Sequence, residues 1–337
     1  MNLFVSLIAV VALFFAAMLG VDSMGLHSLF GIALPYLAIA IFLMGVVAKV
    51  IGWAKSPVPF HITTTCGQQK SLPWIQSSHL ENPHTKWGVF VRMALEVLFF
   101  RSLFRNTQMA IEDGRAVYGP SKWLWGAAMA FHWTFLIVFV RHLRFFTEPV
   151  PQPILWLQSL DGFMQIGVPV LYMSSLIFLA AVTFLFLRRV VLPQVRYISL
   201  AADYFPLFLL LSIGGTGFVL RHFVKTDVTA VKELGVGLLG FNAVASPDIH
   251  WLFYVHLVFV CTLFIYFPFS KLMHMGGVFL SPTRNLTGNS REVRHVNPWN
   301  YPVEVHSYAE YVEEFRERME QAGITIDPVP EAPKEGH

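Results

Sequence analysis

Four histidines lie in pairs on two long apolar runs, and this spacing could hold two haems. His132 and His142 fall in KWLWGAAMAFHWTFLIVFVRHLRFF, residues 122–146, and His256 and His274 fall in the last apolar run. Each run is long enough to cross a bilayer, which takes about 20 residues, and an ionisable group inside such a span indicates function. Two histidines on each of two helices can supply four axial ligands to two b-type haems. The pattern predicts a membrane electron-transfer subunit.

Antiparallel packing of the two runs would pair His142 with His256 and His132 with His274. At a rise of about 1.5 Å per residue, the first run separates its histidines by about 15 Å and the second by about 27 Å. Eighteen residues make five full turns, so His256 and His274 would share a face of one helix, whereas ten residues fall about 80° short of three turns. Tilt and a kink at Pro268 would have to absorb this difference.

Alternative roles for these histidines stay open at this point. A single histidine on an apolar face is more often a buried side chain bonded to a backbone carbonyl, but four in antiparallel-compatible order favour ligation. Zinc or copper is disfavoured because the histidines would lie as two separate pairs at different depths in the membrane and have no neighbouring carboxylates. His250 would face away from His256 and is the best substitute ligand. A further group with no known metal spacing comprises His61, Cys66, His79 and His84.

Composition places the chain in a membrane. Of its 337 residues, 55% are hydrophobic and only 13% are charged, whereas a soluble domain averages about 25% charged. The two cysteines, Cys66 and Cys261, form no CxxC or CxxCH motif. This argues against covalent c-type haem and against a four-cysteine iron–sulfur cluster within this chain.

Hydropathy predicts an all-α integral membrane protein with six transmembrane helices. No Lys or Arg precedes the first apolar run, so we expect a retained span rather than a signal peptide. We expect a transmembrane domain over residues 1–274, which includes a polar loop at 53–121, and a polar extension over 275–337. The predicted spans are residues 3–20, 29–52, 122–146, 166–187, 204–224 and 249–273.

The distribution of Lys and Arg predicts the orientation. Nineteen of the 24 fall on the side that holds the 53–121 loop and both termini, which the positive-inside rule assigns to the cytoplasm. His142 and His256 would then lie near the outer face, and His132 and His274 near the inner face. The five basic residues on the outer side are Arg141, Arg144, Arg221, Lys225 and Lys232.

The histidine spacing, His-x9-His on one helix and His-x17-His on the last, resembles the gamma-type cytochrome b of respiratory nitrate reductase. That family has five helices, which would correspond to spans two to six here, with span one as an addition. Two loop segments, RMALEVLFFRSLFRNT (92–107) and SPTRNLTGNSREVRHVNPWNYP (281–302), are most similar to DsrM. DsrM proteins are the membrane cytochromes b of Dsr complexes, also called Hdr-like menaquinol-oxidising enzymes.

The resemblance implies two non-covalent b haems. His142 and His256 would hold the outer haem, and His132 and His274 the inner one. It also implies that menaquinol is oxidised beside the outer haem. Electrons would pass inward to a cytoplasmic iron–sulfur subunit resembling DsrK, in dissimilatory sulfate or sulfur metabolism.

Quinol oxidation releases protons, so its site needs a hydrogen-bonding base near the outer side. The pair Arg221 and His222 is the first candidate, either for contact with a quinone or for haem propionates, which favour cations. The alternative is that these residues only anchor helix ends at the interface. Further candidates near the outer boundary are Arg141, Arg144, Lys225, Asp161 and Asp227.

Two functional alternatives remain at this point. A nitrate reductase gamma subunit or a heterodisulfide reductase cytochrome would share the haems and differ in the cytoplasmic partner. A haem-free transporter or membrane anchor would use the histidines for helix packing and would contain no haem.

The polar segments suggest two further helices. Apolar residues recur at helical spacing from Gly88 to Ile111 among Arg92, Arg101 and Arg105, which predicts an interfacial amphipathic helix or a docking surface. The S-x-x-E motif that begins at Ser307 predicts a capping box for a charged helix that ends near residue 321.

Overall fold

Six membrane-length helices dominate the computed structural model, which describes residues 1–56, 67–70, 74, 76–164, 169–224, 226–289 and 306–326. The segments long and apolar enough to cross a membrane are Asn2–Asp22, Leu29–Ala54, Lys122–Phe145, Met173–Val191, Ala201–His222 and Trp251–Phe269. The predicted all-α membrane fold with six spans is confirmed, and the chain is a multi-pass membrane protein.

The helices and strands follow one another in a simple order. The helices are α1 (Asn2–Asp22), α2 (Leu34–Ala54), α3 (Lys86–Phe99), α4 (Arg101–Phe104), α5 (Lys122–His142), α6 (Gln152–Asp161), α7 (Met173–Val191), α8 (Pro193–Ile198), α9 (Ala201–His222), α10 (Val228–Gly240), α11 (Trp251–Tyr266), α12 (His274–Leu280), α13 (Pro282–Asn285) and α14 (Tyr308–Gln321). The strands are β1 (Thr107–Glu112), β2 (Arg115–Pro120), β3 (Gly162–Met164) and β4 (Leu171–Tyr172).

Three threonine side chains within the spans are hydrogen-bonded inside their own helices. The hydroxyl groups of Thr134, Thr216 and Thr262 each donate to the carbonyl four residues earlier, at 2.6 to 2.8 Å. A bilayer offers no water to such groups, so an internal acceptor removes the cost of burying them.

The spans pack around α11, which contacts α1, α2 and α9. Buried apolar side chains of α1, α9 and α11 form one core cluster that includes Val10, Ala17, Leu209, Val255 and Phe259. The helix α5 packs chiefly on α7, and α7 packs on α9. The two helices α5 and α11, which carry three of the paired histidines, therefore pack mainly on other helices and not on each other.

The fourth span begins seven residues later than predicted, at Met173 instead of residue 166. The preceding chain forms a short antiparallel pair in which Gly162 lies opposite Tyr172. The backbone N–H and hydroxyl of Ser174 donate to the Asp161 carboxylate, at 2.8 and 2.7 Å. A side-chain contact at the start of α7 thus sets a boundary that hydropathy alone misplaces.

The sixth span is interrupted, although its spacing suggests a continuous helix. The helix α11 ends at Tyr266, and 3-10 turns follow at Phe267–Phe269 and Lys271–Met273. His274 is the first residue of α12, so the expectation that His256 and His274 share a face of one helix is wrong. The helix α11 ends two residues before Pro268, where a kink was expected, and proline lacks the N–H that a continuing helix needs.

The amphipathic helix predicted to run to Ile111 is shorter. Phe100, with φ +49°, separates α3 from α4, and the chain then forms the β1–β2 hairpin. Positive φ angles at Asp113 and Gly114 suit a tight hairpin turn. The capping box is confirmed: Ser307 Oγ accepts from the Glu310 N–H, and the Glu310 carboxylate accepts from the Ser307 N–H.

Ion pairs stabilise the segments outside the spans at the end of the bundle where His132 lies. Arg101 and Arg105 both contact the Glu81 carboxylate. Arg284, on α13, pairs with Glu96 on α3. The Glu81 pairs hold the loop before α5 together, and the Arg284–Glu96 pair joins this loop to the chain that follows the last span.

Glu81 makes this loop sensitive to acid. Partial burial raises the pKa of Glu81, but hydrogen bonds and charges from Arg101 and Arg105 outweigh this effect and lower the pKa below its ordinary 4.5. A depressed pKa in the folded state stabilises at pH values above the unfolded pKa, and this contribution is lost as pH falls through the folded value.

We therefore expect protection of residues 81–105 in the purified protein to fall below about pH 4.5. Hydrogen exchange from pH 7 to pH 3.5 would measure it. Glu81→Gln should lower protection at pH 7 and remove the acid-dependent step. An unchanged pH profile in this variant would assign the step to another group.

Candidate functional site

The structure brings the four histidines together as two pairs. The ring centroids of His142 and His256 lie 6.4 Å apart, with planes inclined by 17°. Those of His132 and His274 lie 6.1 Å apart, with planes inclined by 84°. Each pair joins α5 to the chain of the sixth span, in the combination that antiparallel packing predicts.

The spacing within each pair fits one metal between two imidazoles. With metal–nitrogen bonds of about 2 Å, two facing rings that share a metal have centres about 6 Å apart. Rotation about the nitrogen–metal axis leaves this distance unchanged, so near-parallel and near-perpendicular planes are both compatible. Across the described ranges, no three His, Cys, Asp or Glu side chains cluster as a metal site. Two axial ligands per centre suit a haem iron, whose remaining positions belong to the porphyrin.

The hydrogen bonds of three histidines leave Nε2 free, so that it could bind a metal. Each donates Nδ1–H to a backbone carbonyl, and a carbonyl can only accept, so Nδ1 carries the proton. Such a contact orients the ring and increases the basicity of Nε2. The contacts are His132 to Ala128 (2.8 Å), His142 to Val138 (2.7 Å) and His274 to Lys271 (2.8 Å).

His256 is oriented by the neighbouring helix α9. Thr216 Oγ1 lies 2.9 Å from His256 Nδ1 and donates its own hydrogen to the Ser212 carbonyl at 2.6 Å. The hydroxyl therefore accepts from the imidazole. A Cβ at Gly217 would lie 3.2 Å from His256 Cε1, so glycine allows α9 to approach the ring. Sequence reasoning missed Thr216 and Gly217, although the run GGTG was a signal of close helix contact.

The rings remain accessible to a ligand. His142 and His274 are exposed, and His132 and His256 are half-buried. Phe100 and Phe131 each contact the His132 ring edge-on, with centroids 4.8 Å away. These aromatic side chains provide an apolar wall beside the second pair.

Arg141 forms a buried ion pair beside His142. Its Nη1 lies 2.8 Å from Asp161 Oδ2, and both side chains are less than a tenth exposed. The Asp161 carboxylate also accepts from the backbone and hydroxyl of Ser174. The Nε atom of Arg141 is buried and has no hydrogen-bond partner among the described residues. Arg141 thus keeps one buried donor that suits an anionic group.

The structure brings Arg141 and Arg221 together over the buried ring of Tyr172. Their guanidinium carbons lie 3.7 and 4.1 Å from its centroid. Arg221 also donates to the Val170 carbonyl at 3.1 Å, which fixes its position. Two cations therefore stack on one aromatic ring, and one of them, Arg141, also pairs with Asp161.

The remaining outer candidates are more dispersed. Arg144 donates to the Gln158 side chain at 2.8 Å. His222 packs on Phe218, with ring centroids 4.6 Å apart. Lys225 lies outside the described residues.

The other histidines have different surroundings. His250 Nδ1 accepts from the Leu252 N–H at 3.1 Å and so caps α11. The rings of His79 and His84 lie 5.5 Å apart, while His61 and Cys66 lie outside the described residues.

A six-span bundle with two histidine pairs between its helices defines a membrane protein of the cytochrome b type. The family described as nitrate reductase gamma subunit matches residues 84–294, which is more than half of the chain. The chain belongs to this family. The matched region contains the four paired histidines, and α1 and α2 lie outside it.

Two relatives are similar over most of their length. A protein of Archaeoglobus fulgidus named "Hdr-like menaquinol oxidoreductase cytochrome b-like subunit" is 45% identical over 284 residues, 82% of this chain and 85% of the relative. A protein of the same name from Archaeoglobus profundus is 40% identical over 301 residues, 87% of each chain. The predicted family is confirmed, and the narrower likeness to DsrM stays a prediction.

The buried Arg141–Asp161 pair should be important for stability. Loss of one partner of a buried ion pair leaves an uncompensated charge, which typically costs about 3–5 kcal/mol. We expect Asp161→Asn to lower the unfolding free energy by about this amount in a reversible detergent assay. Glu148→Gln is the matched control, because it removes an exposed carboxylate that pairs with Lys232 and should cost at most about 1 kcal/mol. Equal losses in the two variants would contradict the buried-pair interpretation.

Proposed function

We propose that the chain is the membrane cytochrome b subunit of a menaquinol-oxidising complex. In this proposal it oxidises menaquinol near the outer face and delivers electrons to a cytoplasmic iron–sulfur subunit. The observation that carries the proposal is the pair of two-histidine sites, each about 6 Å across, with Nδ1 hydrogen-bonded. The printed names of the two relatives support the quinol and the multi-subunit complex.

The four imidazoles would hold two haems b. His142 and His256 would bind the outer haem through Nε2, and His132 and His274 the inner one. When bound, each haem supplies a one-electron couple at an iron with no free coordination position. Ten residues of α5 separate the two levels, about 15 Å along the helix, which suits electron transfer in series.

The orientation of the proposal follows the charges. The loop before α5 and the chain after the sixth span carry most of the Lys and Arg residues, so this end would face the cytoplasm. The same end carries the α3–α4 segment and the β1–β2 hairpin. The hairpin exposes Met109, Ile111 and Tyr118, which would suit contact with a partner subunit.

The outer cluster would bind the anionic and polar groups of its ligands. The buried Nε of Arg141, which has no hydrogen-bond partner among the described residues, suits a propionate or a quinone oxygen. Arg221, held by Val170, would orient the quinol, and His222 would accept a proton from it. Arg144 and Lys225 would complete the cationic outer surface.

The cytoplasmic partner would resemble DsrK, the heterodisulfide-reductase-like subunit of Dsr complexes. This part of the proposal depends on the loop segments 92–107 and 281–302, and it places the complex in dissimilatory sulfur metabolism. The family match supports a second candidate, the gamma subunit of a nitrate reductase. Identification of the iron–sulfur subunit that co-purifies with the chain separates the two candidates.

The decisive measurement is the haem content. We expect a dithionite-reduced minus oxidised spectrum and a pyridine haemochrome assay on the purified chain to give two b haems per chain. Menaquinol should reduce both. A chain that is folded and free of haem would be a membrane anchor or transporter instead.

Replacement of a single ligand tests the pairing. His142→Ala should lose one haem and stop menaquinol-driven reduction, while the chain still inserts in the membrane. His250→Ala is the matched control, because this histidine caps α11 and should leave both haems bound. Full haem content in His142→Ala would reject the proposed outer pair.

Arg221→Ala tests the quinol contact. We expect menaquinol-driven haem reduction to slow by about tenfold or more, since a charge-assisted hydrogen bond is lost, whereas haem content changes little. Stopped-flow reduction with menaquinol, compared with reduction by dithionite, would measure the difference. Unchanged quinol kinetics would leave Arg221 with only an anchoring role.

A further inference from the structure

A cleft of about 470 Å³ lies between α1, α9 and α11. Its volume falls in the range of roughly 300–1,000 Å³ that is usual for small-molecule sites. Its lining is apolar except for two hydroxyl side chains, Ser212 and Thr216. Such a surface suits a hydrocarbon chain with few polar groups.

We propose that this cleft binds the isoprenoid chain of the quinol, with the quinol ring directed towards the His142–His256 pair. The inference rests on the proposed function and adds a place for the substrate. It also gives a role to α1, which lies outside the family match at residues 84–294.

One residue, Thr216, connects the cleft to the His142–His256 pair. Thr216 lines the cleft and also accepts the hydrogen bond from His256 Nδ1 at 2.9 Å. A molecule in the cleft is therefore one side chain away from an imidazole that would bind the outer haem. This continuity favours a redox-active occupant over an ordinary membrane lipid.

The face of α9 that lines the cleft leads to a proton acceptor. Phe208, Ser212, Gly215 and Val219 recur at spacings of three and four residues, so they share one face of the helix. His222 follows Val219 by three residues and continues the same stripe. The candidate proton acceptor and the His256 ring thus lie towards the same end of the cleft, while Phe208 marks the other end.

The helix α1 is fixed to the bundle at the end of the cleft near Phe208. Asn2 Nδ2 donates to the Ser199 carbonyl at 3.2 Å, and Ser6 Oγ donates to the Ala201 carbonyl at 3.0 Å. Further along, Ala17 of α1 is fully buried in the core cluster. The cleft lies between these attachments, where Leu7 to Phe15 supply the wall contributed by α1.

Gly215 offers a way to fill the cleft without disturbing the bundle. A Cβ at this position would meet no atom within 4 Å, so a leucine side chain can enter the space. Gly52 on α2 is the matched control, because a Cβ there also meets no atom within 4 Å and Gly52 is not a lining residue.

The experiment measures binding of two quinones to the haem-loaded protein in lipid nanodiscs. One probe is a short-chain menaquinone, and the other is menadione, the same ring without an isoprenoid chain. We expect Gly215→Leu to bind menaquinone about tenfold more weakly or worse, since even one methylene more or fewer in an apolar pocket changes binding by about tenfold or more. Menadione binding, haem content and the Gly52→Leu variant should be unchanged.

Three results would overturn the inference: no menaquinone binding to the wild type, undiminished binding in Gly215→Leu, or an equal loss for menadione. In the second case, release of bound phospholipid from the variant would identify a lipid as the occupant. Menaquinol-driven haem reduction is measured separately. Chain-dependent binding without reduction would reject the proposed function and retain the binding site.

Discussion

The hydrogen bond at Nδ1 of each paired histidine is the interaction on which the rest of this structure depends. Without a partner at Nδ1, the imidazole could rotate or take the tautomer whose proton is on Nε2, and Nε2 could then not bind a metal. Three rings use carbonyls on their own chain segments, while His256 uses Thr216 on α9. The arrangement therefore requires α9 to lie close to α11, and Gly217 permits this approach.

Electrostatics separates the two ends of the bundle. At one end, Arg141 and Arg221 stack on the ring of Tyr172, and Asp161 is the buried counter-charge of Arg141, whose Nε has no hydrogen-bond partner among the described residues. At the other end, the carboxylate of Glu81 joins two arginines in a loop outside the spans. A buried cluster with a spare hydrogen-bond donor suits ligand binding. A surface loop whose charges are paired within the loop suits a structural role. This contrast is consistent with the proposal that a substrate binds near His142 and a partner protein near His132.

The sequence by itself determined the class, the number of spans and the two histidine pairs. Each of these follows from a local or periodic property, because a span requires about 20 apolar residues and a histidine within one is costly unless it is used. The antiparallel directions of α5 and α11 follow from the even number of spans between them in the sequence. The capping box at Ser307 was also readable, since its hydrogen bonds join residues three positions apart.

Only the tertiary structure decided how these parts meet. The start of α7 depends on Asp161, thirteen residues before Ser174. A hydropathy profile does not include side-chain contacts of this kind. His274 reaches its partner because the chain bends after Tyr266, which a continuous helical wheel does not show. The role of Thr216 and the cleft beside it depend on the side-by-side packing of α1, α9 and α11. Contacts between distant segments are set by packing, and the pattern of one segment does not contain them.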